Sequence, residues 1–336
     1  MHHSWSSRSR DGGGGGGDAL RAVVLVGGEG LRLRPLTAKT PKPMLPLLGR
    51  PLLAYTFDHL RAGGVAEATL ACGYLPTQIV DYFNGSFDGM RLNYQIEPQP
   101  LGTGGGIRYA ASGVRSTFLA LNGDSLREAD IASLVDFHRS VGAKATILLA
   151  RVADPARYGL VRTHEDGRVK AFVEKPPQDE IDTELINAGL YVLEPEVLDL
   201  IPDDRPVSIE REVFPKLVAE GSLYALHLDG YWLDVGTPAS YLQAHIDLLH
   251  RKGGVEVSPD ADVADDTLLI PPVVVAPEAT IDERTCIGPF VHVGRGAHLA
   301  RRVVARWVAV LPDAEIRAET RIARAIVAPE IGAVTP

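Results

Sequence analysis

Cysteine is nearly absent from this sequence, and long apolar runs are missing altogether. The chain has only two cysteines, Cys72 and Cys286, which lie far apart and match no metal-binding spacing. So few thiols favour a reducing compartment, and we therefore expect a cytoplasmic protein. No run approaches the roughly 18 uncharged apolar residues that suggest a membrane-spanning helix, so we expect no membrane partner.

Positive charge is also scarce. The formal net charge is −9, whereas proteins that bind nucleic acid usually carry a basic surface, so we expect no nucleic-acid partner. The sequence contains seven lysines against 27 arginines. Because lysine is so rare, the position of each lysine is informative.

The first 18 residues lack the apolar side chains that a folded segment buries. They read MHHSWSSRSRDGGGGGGD, and the run of glycines cannot offset the entropy that is lost on ordering. Residues 1–18 are therefore predicted to form a disordered glycine-rich tail. No apolar stretch follows Arg8 and Arg10, so this tail is not expected to be a secretory signal.

Short apolar runs alternate with helical patterns from Arg21 to about Arg251. The predicted strands are Arg21–Val26, Ala68–Cys72, Leu92–Ile96, Thr117–Leu121 and Ala145–Ala150, and the predicted helices are Pro51–Ala62, Thr77–Phe83, one that begins near Thr103, and Ile131–Ser140. This alternation is typical of an α/β fold with a mainly parallel, doubly wound (Rossmann-like) sheet that is covered on both faces. In such sheets ligands bind beyond the carboxyl ends of the strands. We assign residues 19–252 to this domain.

After Gly253 aliphatic residues recur at every sixth position. They are Val257, Val263, Leu269, Val275, Ile281, Ile287, Val293 and Leu299. The period is interrupted near Arg301–Ala309 and resumes at Val310. The pattern resembles the hexapeptide repeat of a left-handed β-helix, in which aliphatic side chains point inward from three short faces. Residues 253–336 are therefore predicted to form a left-handed β-helix of about four turns.

A glycine-rich loop follows the first predicted strand. It reads GGEGLRLRPLT from Gly27 to Thr37 and lacks the Gly-Lys-Ser/Thr of a Walker A loop. Glycines let backbone N–H groups approach a polyphosphate closely, and the arginines add positive charge. Ten residues beyond Arg32, the rare lysine Lys42 is held between two prolines. The loop and the lysine together indicate a polyphosphate site.

The stretch VLVGGEGLRLRPLTAKTPKPMLPLLGRPLL resembles the opening of the sugar-1-phosphate nucleotidyltransferases, also called nucleotide-sugar pyrophosphorylases. Further motifs of that family follow in order at Glu97–Gly105, Leu121–Asp124, Phe172–Pro176, Asn187–Tyr191 and Gly230–Pro238. The resemblance covers Arg21 to about Arg251, and a β-helix tail is common in the family. In overall texture, notably in the SIEREVFP segment Ser208–Pro215, the chain looks most like the mannose-1-phosphate guanylyltransferases of actinobacteria. Leu31 departs from the pattern, because the family normally has threonine there.

The resemblance implies an enzyme that joins a nucleoside monophosphate to a sugar 1-phosphate and releases pyrophosphate. The attacking phosphate oxygen is already ionised at neutral pH, so the protein has to position and neutralise two anions rather than supply a base. By motif match, the catalytic residues are Arg32, Lys42 and Asp124; the nucleotide-binding residues are Gly27, Gly28, Gly30, Glu97, Gly102 and Thr103; and the sugar-phosphate-binding residues are Gly159, Glu174, Lys175 and Asn187. The aromatic residues Tyr231 and Trp232 are expected to pack rather than to stack on a ligand.

Two carboxylates of these motifs suit a magnesium ion. Asp124 follows one apolar strand, and Asp234 follows Trp232 in another. Carboxylates are hard ligands, and water and phosphate oxygens would complete the octahedron that Mg²⁺ requires. The resemblance therefore implies Mg²⁺ as the cofactor, with Asp124 and Asp234 as its ligands.

The motifs also bear on the two substrates. Glu97 stands where thymidylyl relatives usually carry glutamine, and a carboxylate can accept from both N1–H and N2–H of guanine. GTP is therefore the expected donor, with thymidylyl or adenylyl transfer to glucose 1-phosphate as alternatives. Mannose 1-phosphate is the expected acceptor. A cyclitol phosphate such as valienol 1-phosphate is an alternative, because the arginine-rich composition suggests the GC-rich genome of an antibiotic-producing actinobacterium.

Two readings from other classes stay open. A catalytically silent regulatory paralogue is favoured by Leu31 alone and opposed by the intact Arg32, Lys42, Asp124, Lys175 and Asp234. An acyltransferase built on the hexapeptide repeats would be short, and His292 and His298 have no evident partner in the sequence. We expect the β-helix instead to hold a homo-oligomer together.

Overall fold

The structure is a computed structural model that describes residues 20–335, so the tail predicted at residues 1–18 lies outside the described residues. An α/β unit runs from Arg21 to Lys252, and a stack of short strands follows. The strands of the α/β unit are β1 (Arg21–Leu25), β2 (Pro46–Leu47), β3 (Arg50–Pro51), β4 (Glu67–Cys72), β5 (Ser86–Phe87), β6 (Met90–Ile96), β7 (Phe118–Asn122), β8 (Ser125–Arg127), β9 (Ala145–Arg151), β10 (Gly159–Thr163), β11 (Val169–Glu174), β12 (Leu185–Leu193), β13 (Leu223–His227) and β14 (Trp232–Asp234). The α-helices are α1 (Leu52–Ala62), α2 (Pro76–Phe83), α3 (Gly102–Ala110), α4 (Ile131–Val141), α5 (Phe214–Glu220) and α6 (Pro238–Lys252).

One mixed, mainly parallel sheet organises the α/β unit. Strands β6, β4, β1 and β7 lie side by side in parallel. The long strand β12 then pairs antiparallel with β7 and β9, and β13 continues parallel to β9. The Rossmann-like fold expected from the sequence is confirmed. Because Leu190 of β12 lies opposite Leu121, the first half of β12 extends beyond the carboxyl end of β7, and the hairpin β10–β11 attaches there.

Side chains that alternate along β1 explain why both faces of this sheet are covered. Ala22 and Val24 belong to the cluster under α1, α2 and α4, whereas Val23 belongs to the cluster under α3 and α5. Successive side chains of a strand point to opposite faces, and all three residues are buried. The apolar strands are thus buried on both sides, and polar side chains are left to the loops at the strand ends.

A two-stranded antiparallel ribbon joins two distant motifs beyond β7. Strand β8 begins directly after Asp124, and β14 pairs with it so that Asp234 lies opposite Ser125. The chain then enters α6, whose first turn is capped by Thr237. This pairing brings the two carboxylates that the sequence singled out to the same place.

The carboxyl-terminal strands confirm the expected β-helix. They are β15 (Val255–Val257), β16 (Asp262–Val263), β17 (Leu268–Leu269), β18 (Val273–Val275), β19 (Thr280–Ile281), β20 (Cys286–Ile287), β21 (Val291–Val293), β22 (His298–Leu299), β23 (Val304–Val310), β24 (Glu315–Ile316), β25 (Arg321–Ala328) and β26 (Gly332–Val334). Parallel pairing joins residues 18 apart, as in Val255 with Val273, so each coil has three faces of six residues. The offset falls to 17 at Val291 and Val308, where the period was expected to break. The left-handed sense of the β-helix stays a prediction.

Helix α6 packs the β-helix against the α/β unit. Tyr241 and Leu242 of α6 share one buried cluster with Leu311 and Ile326 of the β-helix and with Leu36 of the loop after β1. Helix α6 ends at Lys252, and β15 begins at Val255. We propose that the two domains divide between residues 252 and 253.

Candidate active site

The glycine loop after β1 is shaped by a left-handed glycine and a buried threonine. Gly30 has φ +62°, and a Cβ there would lie 3.1 Å from Thr37 Cγ2 and 3.2 Å from Lys42 Cβ. Thr37 is fully buried, and its Oγ1 donates to the carbonyl oxygen of Gly30 at 2.8 Å. Leu31 is 58% exposed and lines the cleft that this loop borders. The loop therefore holds its shape through its own contacts, and the expected phosphate binders Gly28, Gly30 and Arg32 line the same cleft.

Lys42 joins the two carboxylates beside this loop. Its side chain is only 7% exposed, and Nζ lies 2.7 Å from Asp124 Oδ2 and 3.4 Å from Asp234 Oδ1. The Arg32 guanidinium lies 3.6 Å from the other oxygen of Asp234. Burial alone would raise the pKa of Asp124, but the Lys42 ammonium and the Arg127 guanidinium outweigh it and hold that pKa below its usual value. All four residues of the predicted catalytic and metal set thus meet at one point.

Arg127 is a buried residue near Asp124 that the sequence analysis did not single out. It is 6% exposed, and its Nη2 donates to Asn122 O at 2.9 Å and to Ser125 Oγ. Burial lowers its pKa to about 10. These bonds brace the turn that carries Asp124. An arginine in a short strand usually indicates a surface position, so no sequence signal could have revealed this one.

Glu97 lies in an adjoining cleft at the end of β6. Its Oε2 accepts from the Leu101 N–H at 3.0 Å, and burial raises the pKa of its carboxyl. A Cβ at Gly27 would lie 3.6 Å from Glu97 Oε1, so the first glycine of the loop leaves room for this carboxylate. The cleft is lined by Gly27, Gly28, Gly73, Glu97, Gly102 and Thr103, among others. It adjoins the phosphate-loop cleft, since Gly28 and Glu29 line both.

Thr103 lines the cleft of Glu97, and its hydroxyl bonds to the segment that follows β12. Its Oγ1 donates to Glu210 Oε2 at 2.6 Å and accepts from the Ile209 N–H at 3.0 Å. The hydroxyl is therefore engaged within the protein. Gly102 needs its glycine for packing, because a Cβ there would lie 2.5 Å from the carbonyl oxygen of Val207.

The expected sugar-phosphate residues lie on the wall formed by β10, β11 and β12. Gly159 pairs with Glu174 across the β10–β11 hairpin, and a Cβ on it would lie 2.9 Å from Glu174 Oε2. Lys175 is exposed with φ +53°, and its backbone N–H donates to Tyr158 O at 3.1 Å. Asn187 donates from Nδ2 to the Tyr191 hydroxyl at 2.9 Å. Within the described chain, the Lys175 ammonium forms no ion pair and is free to meet an anion.

Trp232 connects this wall to the catalytic group. Its Nε1 donates to Ala188 O at 3.0 Å, and its ring lies 5.2 Å from that of Tyr158. Trp232 stands two residues before Asp234, so this bond holds the Asn187–Ala188 part of β12 beside the carboxylates. Tyr231 donates to Asp247 at 2.6 Å. Both aromatic residues pack, as expected.

The possible metal ligands beside Lys42 are the carboxylates of Asp124 and Asp234, and the side chains of Lys42 and Arg32 lie next to them. In residues 20–335 no group of three or more histidine, cysteine, aspartate or glutamate side chains could hold a metal ion. A magnesium ion there would have Asp124 and Asp234 as its only carboxylate ligands, which is enough for an ion that keeps several waters.

The helices of the described residues were also compared with the length and hydropathy of a membrane span. None of them is long and apolar enough to cross a bilayer.

A Rossmann-like sheet with a glycine loop and paired carboxylates at its carboxyl edge defines a nucleotide-handling enzyme. Residues 21–251 match the nucleotidyl transferase family, and the chain belongs to that family.

Named relatives and solved structures agree with this membership. The chain is 42% identical to mannose-1-phosphate guanylyltransferase from Mycobacterium tuberculosis, over 84% of this chain and 79% of that protein. It is 36% identical to a probable mannose-1-phosphate guanylyltransferase from Oryza sativa, over 92% of this chain and 86% of that protein. The crystal structure of HddC from Yersinia pseudotuberculosis has a TM-score of 0.59 at 31% identity, covering 67% of this chain and 97% of that one. A second HddC structure, with a TM-score of 0.57, is a complex with GMP-PN.

Proposed function

We propose that this protein transfers GMP from GTP to mannose 1-phosphate, which forms GDP-mannose and releases pyrophosphate. The observation that carries the proposal is the meeting of Arg32, Lys42, Asp124 and Asp234 beside the cleft that holds Glu97. Relatives at 42% and 36% identity bear the name mannose-1-phosphate guanylyltransferase, which supports the same donor and acceptor here.

The reaction brings two anions together. An oxygen of the acceptor phosphate attacks the α-phosphorus of GTP in line, the bond from that phosphorus to the bridging oxygen breaks, and pyrophosphate leaves with the electron pair. Lys42 neutralises the reacting phosphates, and Arg32 steadies the β- and γ-phosphates. The attacking oxygen is already ionised, so catalysis rests on positioning and charge stabilisation, with no need for a base.

We propose Mg²⁺ as the cofactor, held by Asp124 and Asp234. The shared-site proposal is supported by the two carboxylates, whose oxygens both lie within 3.4 Å of one ammonium nitrogen. Mg²⁺ commonly takes one or two protein carboxylates together with waters and substrate phosphates. When bound, it would polarise the α-phosphate and stabilise the charge on the departing pyrophosphate.

The remaining predicted residues divide between the two substrates. Glu97 accepts N1–H and N2–H of guanine, and the loop glycines Gly27, Gly28 and Gly30 give the phosphates access to backbone N–H groups, with Gly102 at the cleft wall. Lys175 binds the sugar phosphate as a point charge. Glu174 and Asn187 bind ring hydroxyls, and Gly159 leaves space beside them.

We further propose a cytoplasmic homo-oligomer that assembles through the β-helix. Both cysteines are free thiols, which agrees with a reducing compartment. The first coil leaves Val255 and Val257 exposed at 43% and 38%, which supports an apolar contact there. The acyltransferase interpretation is opposed by His292, which is buried and has no hydrogen-bond partner among the described residues; His298, in contrast, does have a partner, since its Nε2 lies 3.2 Å from Asp282 Oδ2.

A grid of substrates tests the proposal. GTP, ATP and dTTP are each combined with mannose 1-phosphate, glucose 1-phosphate and valienol 1-phosphate, and pyrophosphate release is followed with Mg²⁺. We expect GTP with mannose 1-phosphate to give the highest kcat/KM. Comparable turnover with dTTP would contradict the assignment of GTP as the donor. A kcat/KM that is about tenfold or more higher with valienol 1-phosphate would contradict only the assignment of mannose 1-phosphate as the acceptor. No release from any pair would favour a silent paralogue.

A further inference from the structure

The SIEREVFP segment is a sequence motif to which the proposed function gives no role. Ser208 caps a π-helical turn, Ile209–Val213, by accepting from the Arg211 N–H, and the chain then continues into α5. Ile209 and Val213 are fully buried, which fixes the orientation of the turn. Glu210 lies between them and carries its carboxylate into a group of hydroxyls.

Three hydroxyls and no cation hold the Glu210 carboxylate. Its Oε2 accepts from Thr103 Oγ1 at 2.6 Å and from Ser208 Oγ at 2.8 Å, and its Oε1 accepts from the Tyr191 hydroxyl at 3.3 Å. Throughout the described residues, no lysine or arginine forms an ion pair with it. Burial, and then the nearby Glu210 carboxylate, raise the pKa of Glu174. A second negative charge beside Glu174 is costly for stability, so it needs a reason other than packing.

The hydrogen bonds around Tyr191 have only one possible direction. A carboxylate can only accept, so Tyr191 must donate its single hydroxyl hydrogen to Glu210. The tyrosine oxygen is then left as an acceptor, and it accepts from Asn187 Nδ2 at 2.9 Å. Asn187 Oδ1 accepts from the Gly189 N–H at 2.9 Å. Turning the Asn187 amide over would break both of its bonds.

The same carboxylate reaches the nucleotide side of the site. Thr103 stands at the start of α3, next to the cleft of Glu97. The Val207 N–H donates to Leu101 O at 2.9 Å, and Val207 O accepts from the Gly104 N–H at 2.8 Å. Glu210 is therefore the point at which the base-binding segment and the acceptor-binding strand β12 are hydrogen-bonded together.

We propose that Glu210 is a positioning residue that, through Tyr191, fixes the amide of Asn187 for one arrangement of acceptor hydroxyls. This inference rests on the proposed function, because Asn187 acts there as an acceptor ligand. The Asn187 amide presents its second Nδ2 hydrogen and the free lone pair of Oδ1 to the acceptor in a set order. Without Glu210 the Gly189 N–H alone sets this order, so the amide is held by one bond instead of two and hydroxyl epimers are discriminated less well.

Three substitutions test the hydrogen bonds that link Thr103, Glu210 and Tyr191 to Asn187. Tyr191→Phe removes the hydroxyl, Glu210→Gln keeps the size and removes the charge, and Thr103→Val removes the donor on the nucleotide side. We expect each to raise the KM for mannose 1-phosphate by about tenfold, as one lost buried hydrogen bond would. The KM for GTP should stay within about twofold in Tyr191→Phe and Glu210→Gln, whereas Thr103→Val should raise both KM values, because Thr103 lines the cleft of Glu97. In all three variants the preference for mannose over glucose 1-phosphate should fall. Thr103→Ser keeps the hydroxyl and should restore wild-type values.

Matched controls separate positioning from stability. Thr117 Oγ1 donates to Glu194 Oε1 at 2.6 Å at the opposite end of β7, so Thr117→Val removes the same kind of bond away from both substrates. Tyr94→Phe likewise removes a tyrosine hydroxyl that accepts from Gly85. Both controls should alter the melting temperature without separating the two KM values.

The outcomes distinguish the inference from the function on which it rests. An active wild type whose Tyr191→Phe and Glu210→Gln variants raise both KM values equally, or lower only the melting temperature, would overturn the positioning role alone. Wild type that releases no pyrophosphate with any acceptor would overturn the proposed function and the inference together. If wild type prefers another sugar 1-phosphate, the variants are scored with that sugar and its epimer, and the same KM separation is expected.

Discussion

Lys42 shows how one rare residue organises the chemistry at the scale of single side chains. Its ammonium is 7% exposed and lies between the carboxylates of Asp124 and Asp234. A buried charge is tolerated only when it is paired, so Lys42 depends on the two carboxylates, whose side chains are 39% and 21% exposed. Under the proposed function, phosphates and a metal ion would offer the same groups new partners of opposite charge, so each charge in the cluster would stay paired during binding.

The first prediction concerns the carboxylates. Asp234→Asn keeps the size and removes one negative charge, so we expect turnover to fall by a factor on the order of a thousand, as with other groups that stabilise transition-state charge. Pyrophosphate release should also require a higher Mg²⁺ concentration for half-saturation. Asp58→Asn is the control, because it removes a carboxylate that pairs with Arg50 at 2.8 Å on α1. Near-normal turnover of Asp234→Asn at low Mg²⁺ would contradict the shared-metal proposal.

The second prediction concerns the base. Glu97→Gln replaces one accepting oxygen with an amide, which leaves a guanine donor unpaired, and kcat/KM for GTP should fall about 5- to 150-fold. Burial raises the pKa of Glu97, so the wild-type carboxylate should lose its charge at a higher pH than an ordinary glutamate. The kcat/KM for GTP should therefore decline on acidification sooner in the wild type than in Glu97→Gln. Identical pH profiles of the two proteins would refute the assignment.

At the scale of elements, the phosphate loop depends on a bond between its two ends. Thr37 is fully buried, and its hydroxyl is the partner of the Gly30 carbonyl. Gly30 in turn needs its left-handed φ and the space that a missing Cβ leaves beside Thr37 and Lys42. The loop is therefore preformed by its own contacts, so less ordering entropy would be lost if it binds phosphates as proposed.

The third prediction concerns this loop. Thr37→Val keeps the shape and removes the hydroxyl, so the Gly30 carbonyl loses its partner. We expect the KM for GTP to rise about fivefold and the free energy of unfolding to fall by about 1–3 kcal/mol. Thr56→Val is a matched control, because the buried Thr56 hydroxyl has no hydrogen-bond partner within residues 20–335. Its removal should leave KM unchanged and stability equal or higher. An unchanged KM in Thr37→Val would show that the loop is held by packing alone.

The elements differ in how far the sequence could predict them. From Arg21 to Arg151 every predicted helix and strand agrees with the structure to within two residues, because apolar period and glycine breaks are local signals. The antiparallel wall of β10–β12 was not predicted, since its pairing depends on residues far apart in the chain. The β-helix was predicted from its repeat, including the break that shortens the coil.

The residues of the candidate site also differ in how far the sequence could predict them. Arg32, Lys42, Asp124 and Asp234 were found because each stands in a short motif, and the structure brings them together. Arg127 was not singled out, and Glu210 was noted only as part of the SIEREVFP segment, because the burial of Arg127 and the partners of both residues arise only in the folded chain. Thr103 was assigned by motif to the nucleotide and lines the cleft of Glu97, and its hydroxyl donates to Glu210. Motifs locate side chains, and folding decides which way their polar atoms face.

At the scale of the whole molecule, α6 is the element that ties the two domains. It begins four residues after Asp234, and its inner face packs on the β-helix. Two histidines meet in this interface: His245 of α6 and His292 of β21 are both 1% exposed, with rings stacked 5.5 Å apart. Neither ring nitrogen of His292 has a hydrogen-bond partner among the described residues. Burial therefore favours the neutral form of both histidines in this interface.

The last prediction is that acid weakens this interface. Burial, and then Lys252, lower the pKa of His292 to about 4, and burial together with His292 lowers the pKa of His245. In the unfolded chain both would titrate near 6.5, so the unfolded state binds more protons below that pH. The contribution of these histidines to the free energy of unfolding is thus complete above about pH 6.5. It falls as the pH drops toward 4, by up to about 1.4 kcal/mol per pH unit for each histidine.

The variant His292→Leu tests this prediction, because leucine cannot be protonated. Its free energy of unfolding in urea should fall less between pH 7.5 and pH 5 than that of the wild type. His164→Gln removes an exposed histidine and should behave as wild type does. If wild type and His292→Leu lose stability in parallel, the acid sensitivity arises elsewhere and the buried pair does not control how firmly the β-helix is held.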